Sequence, residues 1–331
     1  MTSIQNYYIG IDLGGTNIKV VAIDNKGKLF CEKNTCTESE KLPQYVIEKI
    51  ISIINDFKND PGLKGKNLNG IGIAAAGVVD MKKGITKFLP NLYTGWHDID
   101  IVSQISKSCK SDTFLLNDVR AITLGEKVFG AGKGIDNLVC MALGTGIGGG
   151  IIINGKLYFG SEGFAGEVGH QVIDLNGPRC TCGSWGCLES LASGPALSSQ
   201  AIKLIKQGAT TVMRELSEND LNKIDPLVVE KAARQGDPLA VEIYEKEAFY
   251  LGTAIANLIV ILNPEMIILC GGVSKAGELL IEPIRNVLSK RIFLGPDLKK
   301  LKIVRGALGD SAGGMGAAVW TMTNLSDAPQ T

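Results

Sequence analysis

Apolar residues fill Tyr7, Tyr8, Ile9, Ile11 and Leu13, stop at Gly14-Gly15-Thr16-Asn17, and resume at Ile18, Val20, Val21, Ala22 and Ile23. Two β-rich runs around a glycine turn predict a hairpin. A third strand is expected at 29–33. The period then changes: Val46, Ile47, Ile50, Ile51, Ile54 and Phe57 fall on one face of a helix over 43–58. Further strands are expected at 71–77, 113–118, 138–143, 151–153, 265–270 and 301–304. Helices are expected at 121–129, 194–206 and through most of 226–262, the last stopped at Asn263-Pro264. A glycine- and alanine-rich helix at 310–322 is of a kind that packs closely, back onto the first part of the chain.

The second glycine run, Gly144-Thr145-Gly146-Ile147-Gly148-Gly149-Gly150, lies between two strand-like stretches. It contains a literal G-x-G-x-x-G, but a dinucleotide fold needs a helix after the glycines, and Ile151-Ile152-Ile153 reads as strand. No H-R-D or D-F-G sequence accompanies it, so a protein-kinase reading fails as well. It does echo the first hairpin. Leu13-Gly14 and Leu143-Gly144 lie about 130 residues apart, and a similar corner (Lys26-Gly27-Lys28-Leu29, Asn154-Gly155-Lys156-Leu157) follows each. This predicts an α/β chain of two similar domains, each opening with a phosphate-clasping hairpin, facing each other across a cleft. The expected boundaries are 1–118 with 306–331 for a smaller domain and 119–305 for a larger one.

A length of 331 residues suits about two domains, and 45% hydrophobic residues supply their cores. Lys+Arg and Asp+Glu are both 34. That balance argues against nucleic acid or an anionic membrane as the main partner. The N-terminus lacks the basic start and apolar core of a signal peptide, and no apolar run is long enough to span a bilayer. A soluble cytoplasmic protein is expected.

Within that frame two carboxylates stand out. Asp12 ends the first strand, where it suits a Mg²⁺ held through water to a nucleotide phosphate. Asp118 ends a strand where open α/β sheets place ligand chemistry; its plainer role would be to cap the following helix. Asn91 could offer an amide to a hydroxylated ligand, and His97 is assigned no role. His170, Cys180, Cys182 and Cys187 follow the spacing H-x9-C-x-C-x4-C, the four ligands of a closed tetrahedral zinc site. A disulfide with a spare thiol is the alternative. A closed site is structural, so the neighbouring Glu167 and Glu189 become candidates for a rigid polar pocket wall.

These pieces resemble the ROK (repressor, open reading frame, kinase) family, and within it the bacterial-type glucokinases. The matching residues are D-L-G-G-T at 12–16, L-N-D at 116–118, L-G-T-G-I-G-G-G at 143–150, the glycine-rich stretch ending in Gly169-His170, and C-x-C-G-x-x-G-C-x-E at 180–189. The resemblance implies an actin-like, ribonuclease H-like ATPase fold. It implies that Gly14, Gly15, Thr16 and Asn17 with Asp12 and Lys19, and Gly144, Thr145 and Gly146, attend the phosphates of ATP and its Mg²⁺, with Gly271 and Gly272 near the adenosine. Asp118 would be the general base. Gly77, Asn91, Asn117, Asp118, Glu167, His170 and Glu189 would line the sugar, and His170, Cys180, Cys182 and Cys187 would bind structural Zn²⁺. The implied reaction is phosphorylation of glucose to glucose 6-phosphate. Another hexose or an N-acetylhexosamine is the alternative substrate. Less expected are a sugar-sensing repressor, for which the first strand at residue 7 leaves no room for a helix-turn-helix, and a non-catalytic scaffold. A homodimer or tetramer is the expected assembly.

Overall fold

The computed structural model describes residues 5–93, 95–291 and 298–326. The polar start of the chain at 1–4 and its last five residues lie outside the described residues. The chain divides into two units, Met1–Gly134 with Ala307–Thr331, and Ile135–Gly306. The first therefore takes in 119–134, which the expected boundary assigned to the second domain.

The first unit is built on a five-stranded sheet. Its strands are β1 (Asn6–Leu13), β2 (Asn17–Ile23), β3 (Leu29–Cys36), β4 (Asn67–Ala75) and β8 (Thr113–Asn117), in the order β3-β2-β1-β4-β8. The β1–β2 hairpin falls where expected, with Leu13 opposite Ile18. β4 and β8 add in parallel, so Leu13 pairs with Ala75 and Ala75 with Asn117. Three strands thus end level with one another. Helix α1 (Pro43–Lys58) buries Val46, Ile47, Ile50, Ile54 and Phe57 against the sheet core, and only Ile51 of the expected stripe stays half-buried. A small antiparallel sheet, β5 (Val78–Asp80), β6 (Ile85–Phe88) and β7 (His97–Asp100), leads into α2 (Ile101–Cys109). Its strands are three or four residues long, too short for alternation to reveal. Trp96 anchors it, fully buried, by donating from Nε1 to Thr86 Oγ1 at 2.7 Å.

Helix α3 (Asp118–Val128) and the last helix, Ala312–Asn324, complete this unit. Glycines on the strands beneath it explain the place of the last helix. A Cβ at Gly10 on β1 would lie 1.8 Å from the carbonyl oxygen of Gly314, and one at Gly72 on β4 would lie 1.9 Å from that of Ala317. Helix backbone rests on strand backbone, which only residues without side chains permit. Glu126, fully buried on α3, fastens the returning segment. Its carboxylate accepts N–H bonds from Ala131, Ala307 and Leu308 at 2.9–3.0 Å.

The second unit repeats the first sheet's order as β11-β10-β9-β12-β13. Its strands are β9 (Leu138–Leu143), β10 (Ile147–Ile153), β11 (Lys156–Leu157), β12 (Met266–Cys270) and β13 (Lys302–Arg305). Again a hairpin is followed by two parallel additions. Its corner is a glycine turn with Asn154 at φ 50° and Gly155 at φ 75°. The helices are α4 (Leu188–Ala192), α5 (Gly194–Lys206), α6 (Met213–Leu216), α7 (Pro226–Arg234), α8 (Pro238–Leu262) and α9 (Glu278–Arg291). The stretch 226–262 is mostly helical, as expected, in two helices separated at Asp237, whose side chain caps α8 by accepting from Ala240 N–H, and α8 stops at Asn263 in the left-handed conformation. Each unit has its own apolar core. Among the described residues no helix is long and apolar enough to cross a membrane.

Candidate functional site

In the first unit the level ends of β1, β4 and β8 gather the singled-out residues. Asp12 lies one residue before the end of β1, Gly77 two residues beyond β4, and Asn117 closes β8. Asn117 caps α3: its Oδ1 accepts from Val119 N–H at 3.1 Å and Arg120 N–H at 3.3 Å, and its Nδ2 donates to the Gly77 carbonyl at 3.2 Å. The capping role weighed for Asp118 is thus filled by Asn117, and Asp118 stands in the first turn, on the positive end of the helix dipole. The Gly14–Asn17 turn is closed by Gly14 N–H to Asn17 O at 3.0 Å. Thr37, not singled out from the sequence, braces it: its hydroxyl donates to the Gly14 carbonyl at 2.7 Å and its N–H to the Thr16 carbonyl at 2.8 Å. Asn91 lies against Gly15, where a Cβ would come within 2.5 Å of the Asn91 Cβ.

Asp12 and Asp118 feel each other. Burial first, and then the Asp118 charge, push the Asp12 carboxyl up to about 7, while Lys19 pulls the other way. Lys19, opposite Asp12 across the hairpin, is 3.8 Å from Asp310. A cation beside Asp12 would relieve this excess of negative charge, so the residues present fit a Mg²⁺ carried in on phosphate.

In the second unit, Gly144 follows β9 and Gly271 follows β12, whose ends are again level, with Cys270 opposite Ala142. Gly144 N–H donates to Gly146 O at 2.9 Å, and Gly194 N–H to Gly144 O at 2.9 Å. Gly271, at φ 83°, passes so close to Leu143 that a Cβ would lie 2.4 Å from its carbonyl oxygen. Thr145 lies within the turn. The Glu167 carbonyl accepts from His170 N–H at 3.1 Å, which sets the short turn leading to the imidazole.

His170, Cys180, Cys182 and Cys187 converge, their ligand atoms all within 4.8 Å of one another. Cys182 Sγ is 3.7 Å from Cys187 Sγ, and Cys180 Sγ is 3.8 Å from His170 Nδ1. A tetrahedron with zinc–sulfur bonds of about 2.3 Å has edges of about 3.8 Å, so the donor set fits Zn²⁺. All eight cysteines are free thiols, which sets aside the disulfide alternative. With Nδ1 turned to the thiols, Nε2 is the imidazole edge that faces elsewhere. Burial pushes the Cys187 thiol up to about 12, while the Ser184 backbone N–H holds Cys182 down. The turn closes through Cys180 N–H to Ser184 O at 2.8 Å, with Gly183 at φ 96°. Glu189 joins this loop to the glycine hairpin: its Oε2 accepts from Ile147 N–H at 3.0 Å and its Oε1 from the Thr181 hydroxyl at 3.3 Å.

Two sheets of one order, each built on a hairpin around a glycine turn with two strands added in parallel, define an α/β fold of the actin-like ATPase class. The ROK family model matches residues 8–324, and the chain belongs to the ROK family. It is 36% identical to the glucokinase of Thermotoga maritima, over 94% of this chain and 95% of that one. The crystal structure of a ROK family glucokinase from Streptomyces griseus, in complex with glucose and AMPPNP, superposes with a TM-score of 0.80 at 33% identity, covering 94% of this chain and 98% of that one. The xylose repressor of Caldicellulosiruptor bescii is 32% identical over 97% of this chain and 79% of its own length.

Proposed function

We propose that the protein transfers the γ-phosphoryl group of ATP to the primary hydroxyl of glucose, giving glucose 6-phosphate. The observation that carries this reading is the placement of Asp118 in the first turn of α3, within electrostatic reach of Asp12 and level with the Gly14–Asn17 turn. The likeness to a glucokinase crystallised with glucose and an ATP analogue supports it.

Asp118 accepts the proton of the sugar hydroxyl as its oxygen attacks phosphorus in line. Phosphoryl transfer asks a protein mainly for positioning and charge neutralisation. Backbone N–H groups of Gly15, Thr16 and Asn17, and of Thr145 and Gly146, donate to phosphate oxygens, while the Gly14 and Gly144 N–H groups close the two turns that present them, and Lys19 adds positive charge. Gly272, with open space where a side chain would stand, leaves room beside the adenosine, and Gly271 makes the close turn against Leu143 that precedes it. Asn91, the second amide hydrogen of Asn117, Glu167, His170 Nε2 and Glu189 hydrogen-bond the sugar, and Gly77 lies beside it. Asp12 would hold Mg²⁺ through water; when bound, the ion neutralises charge on the phosphates. His170, Cys180, Cys182 and Cys187 would hold Zn²⁺, which stiffens the loop and takes no part in the chemistry. Reduced cysteines and ATP use suit the cytoplasm.

The likeness to a xylose repressor favours one second reading, a sugar-binding regulator without turnover. Asp118→Asn separates the two. We expect this variant to bind glucose in calorimetry while kcat falls about 10²- to 10⁴-fold. Unchanged ADP release on glucose would remove the base assignment. Sugar binding without turnover in the wild type would favour the regulator.

A further inference from the structure

The Gly144–Gly146 turn has no side chains with which to fix itself beyond Thr145, and a glycine turn left alone samples many conformations. Beyond the internal Gly144 N–H to Gly146 O bond at 2.9 Å, contacts from outside must aim its remaining N–H groups. Two contacts meet at Ile147, the residue that follows. Its N–H is held by Glu189 Oε2 at 3.0 Å, and its carbonyl lies against Gly169, where a Cβ would come within 1.9 Å of the oxygen. Gly169 precedes His170, the histidine of the metal-ligand set. Glu189 in turn is held by Thr181, which sits between the ligands Cys180 and Cys182 and donates its hydroxyl to Oε1 at 3.3 Å. Cys180 Sγ lies 3.8 Å from the same oxygen. A Cβ on Gly146 would come within 2.4 Å of Oε2, so the carboxylate and the turn fit without slack.

We propose that Thr181 is a positioning residue for the nucleotide. Through Glu189 the cysteine loop fixes the Gly146–Ile147 peptide, so the affinity for the phosphates depends on a hydroxyl that touches no nucleotide. A loop whose ligand pattern suggests service to the sugar alone therefore also sets the phosphate turn. This inference rests on the phosphate role given above to Gly144, Thr145 and Gly146.

The test uses the full-length, metal-loaded protein and Mg²⁺-ADP as the calorimetric probe. Thr181→Val removes the hydroxyl at constant shape, Thr181→Ala removes it with less bulk, and Thr181→Ser keeps it. Thr181 is exposed, so the fold tolerates all three. Losing one hydrogen bond to a carboxylate should weaken Mg²⁺-ADP binding about three- to tenfold in the valine and alanine variants, and leave the serine variant within about twofold of wild type. Zinc content should stay constant, and exchange of the Ile147 amide hydrogen should quicken in the same two variants. Wild-type affinity and Ile147 exchange in both Thr181→Val and Thr181→Ala would overturn the inference alone. A wild type that does not bind Mg²⁺-ADP would overturn the phosphate assignment, and this inference with it.

Discussion

Glu247 is fully buried on α8, and neither carboxylate oxygen has a hydrogen-bond partner. Burial raises its carboxyl well above the ordinary range, so the folded state holds it neutral. The unfolded chain releases that proton near about pH 4.3. Between that value and the folded one, rising pH favours unfolding, by at most about 1.4 kcal/mol per pH unit. Glu247→Leu should therefore melt higher than wild type at pH 8 and gain less at pH 5. Thermal unfolding at both values checks this, and an equal gain at the two would refute it. Cys182→Ser removes one of four metal ligands, and zinc per chain should fall well below one by elemental analysis, with glucose affinity falling too. Single residues were legible in the sequence where spacing carried chemistry, as with His170, Cys180, Cys182 and Cys187, whose side chains the fold brings within 4.8 Å of one another. Asn117 and Asp118 were not separable there, because either can cap a helix. The cap went to Asn117, whose amide reaches both the α3 N–H groups and the Gly77 carbonyl. Thr37 left no signal at all, since its role is to meet two carbonyls of a turn 21–23 residues earlier.

Among elements, the two hairpins could be read because β-branched runs flank glycine turns, and α1 because its apolar period is regular. The three short strands β5, β6 and β7 could not. The last helix was legible as one that packs closely onto the first part of the chain, where it lies, but its composition does not give the register. The register that seats it is fixed by backbone contact at Gly10 and Gly72. Gly10→Ala places a methyl 1.8 Å from the Gly314 oxygen, with no flexible side chain to yield. Overpacking of this kind costs about 1–3 kcal/mol or more, equivalent to a fall in Tm of roughly 3–10 °C for a unit of this size. Calorimetry that finds the Tm unchanged would contradict the seating of the helix.

On the scale of the whole chain, the echo between residues 13 and 143 grew into two sheets of identical order, β3-β2-β1-β4-β8 and β11-β10-β9-β12-β13. The unit limits were harder to read. Residues 119–134 join the first unit because Gly125 and Gly316 bring α3 and the last helix into backbone contact, a pairing between segments almost 200 residues apart. Each unit has its own core, and the four residues that fit a Zn²⁺ belong to the second alone. Chelation should therefore lower the melting of the second unit by the lost binding free energy and leave the first unit's own transition in place.

Turnover on glucose is what this protein should show. A coupled ADP-release assay with Mg²⁺-ATP across glucose, mannose, fructose, allose, N-acetylglucosamine and N-acetylmannosamine tests it most directly. Glucose should lead by about 10²-fold or more in kcat/KM, about 2.7 kcal/mol of transition-state discrimination. A lead of that size for another sugar would keep the kinase and replace its substrate. No ADP release on any sugar, with zinc present and ATP bound, would contradict a sugar kinase.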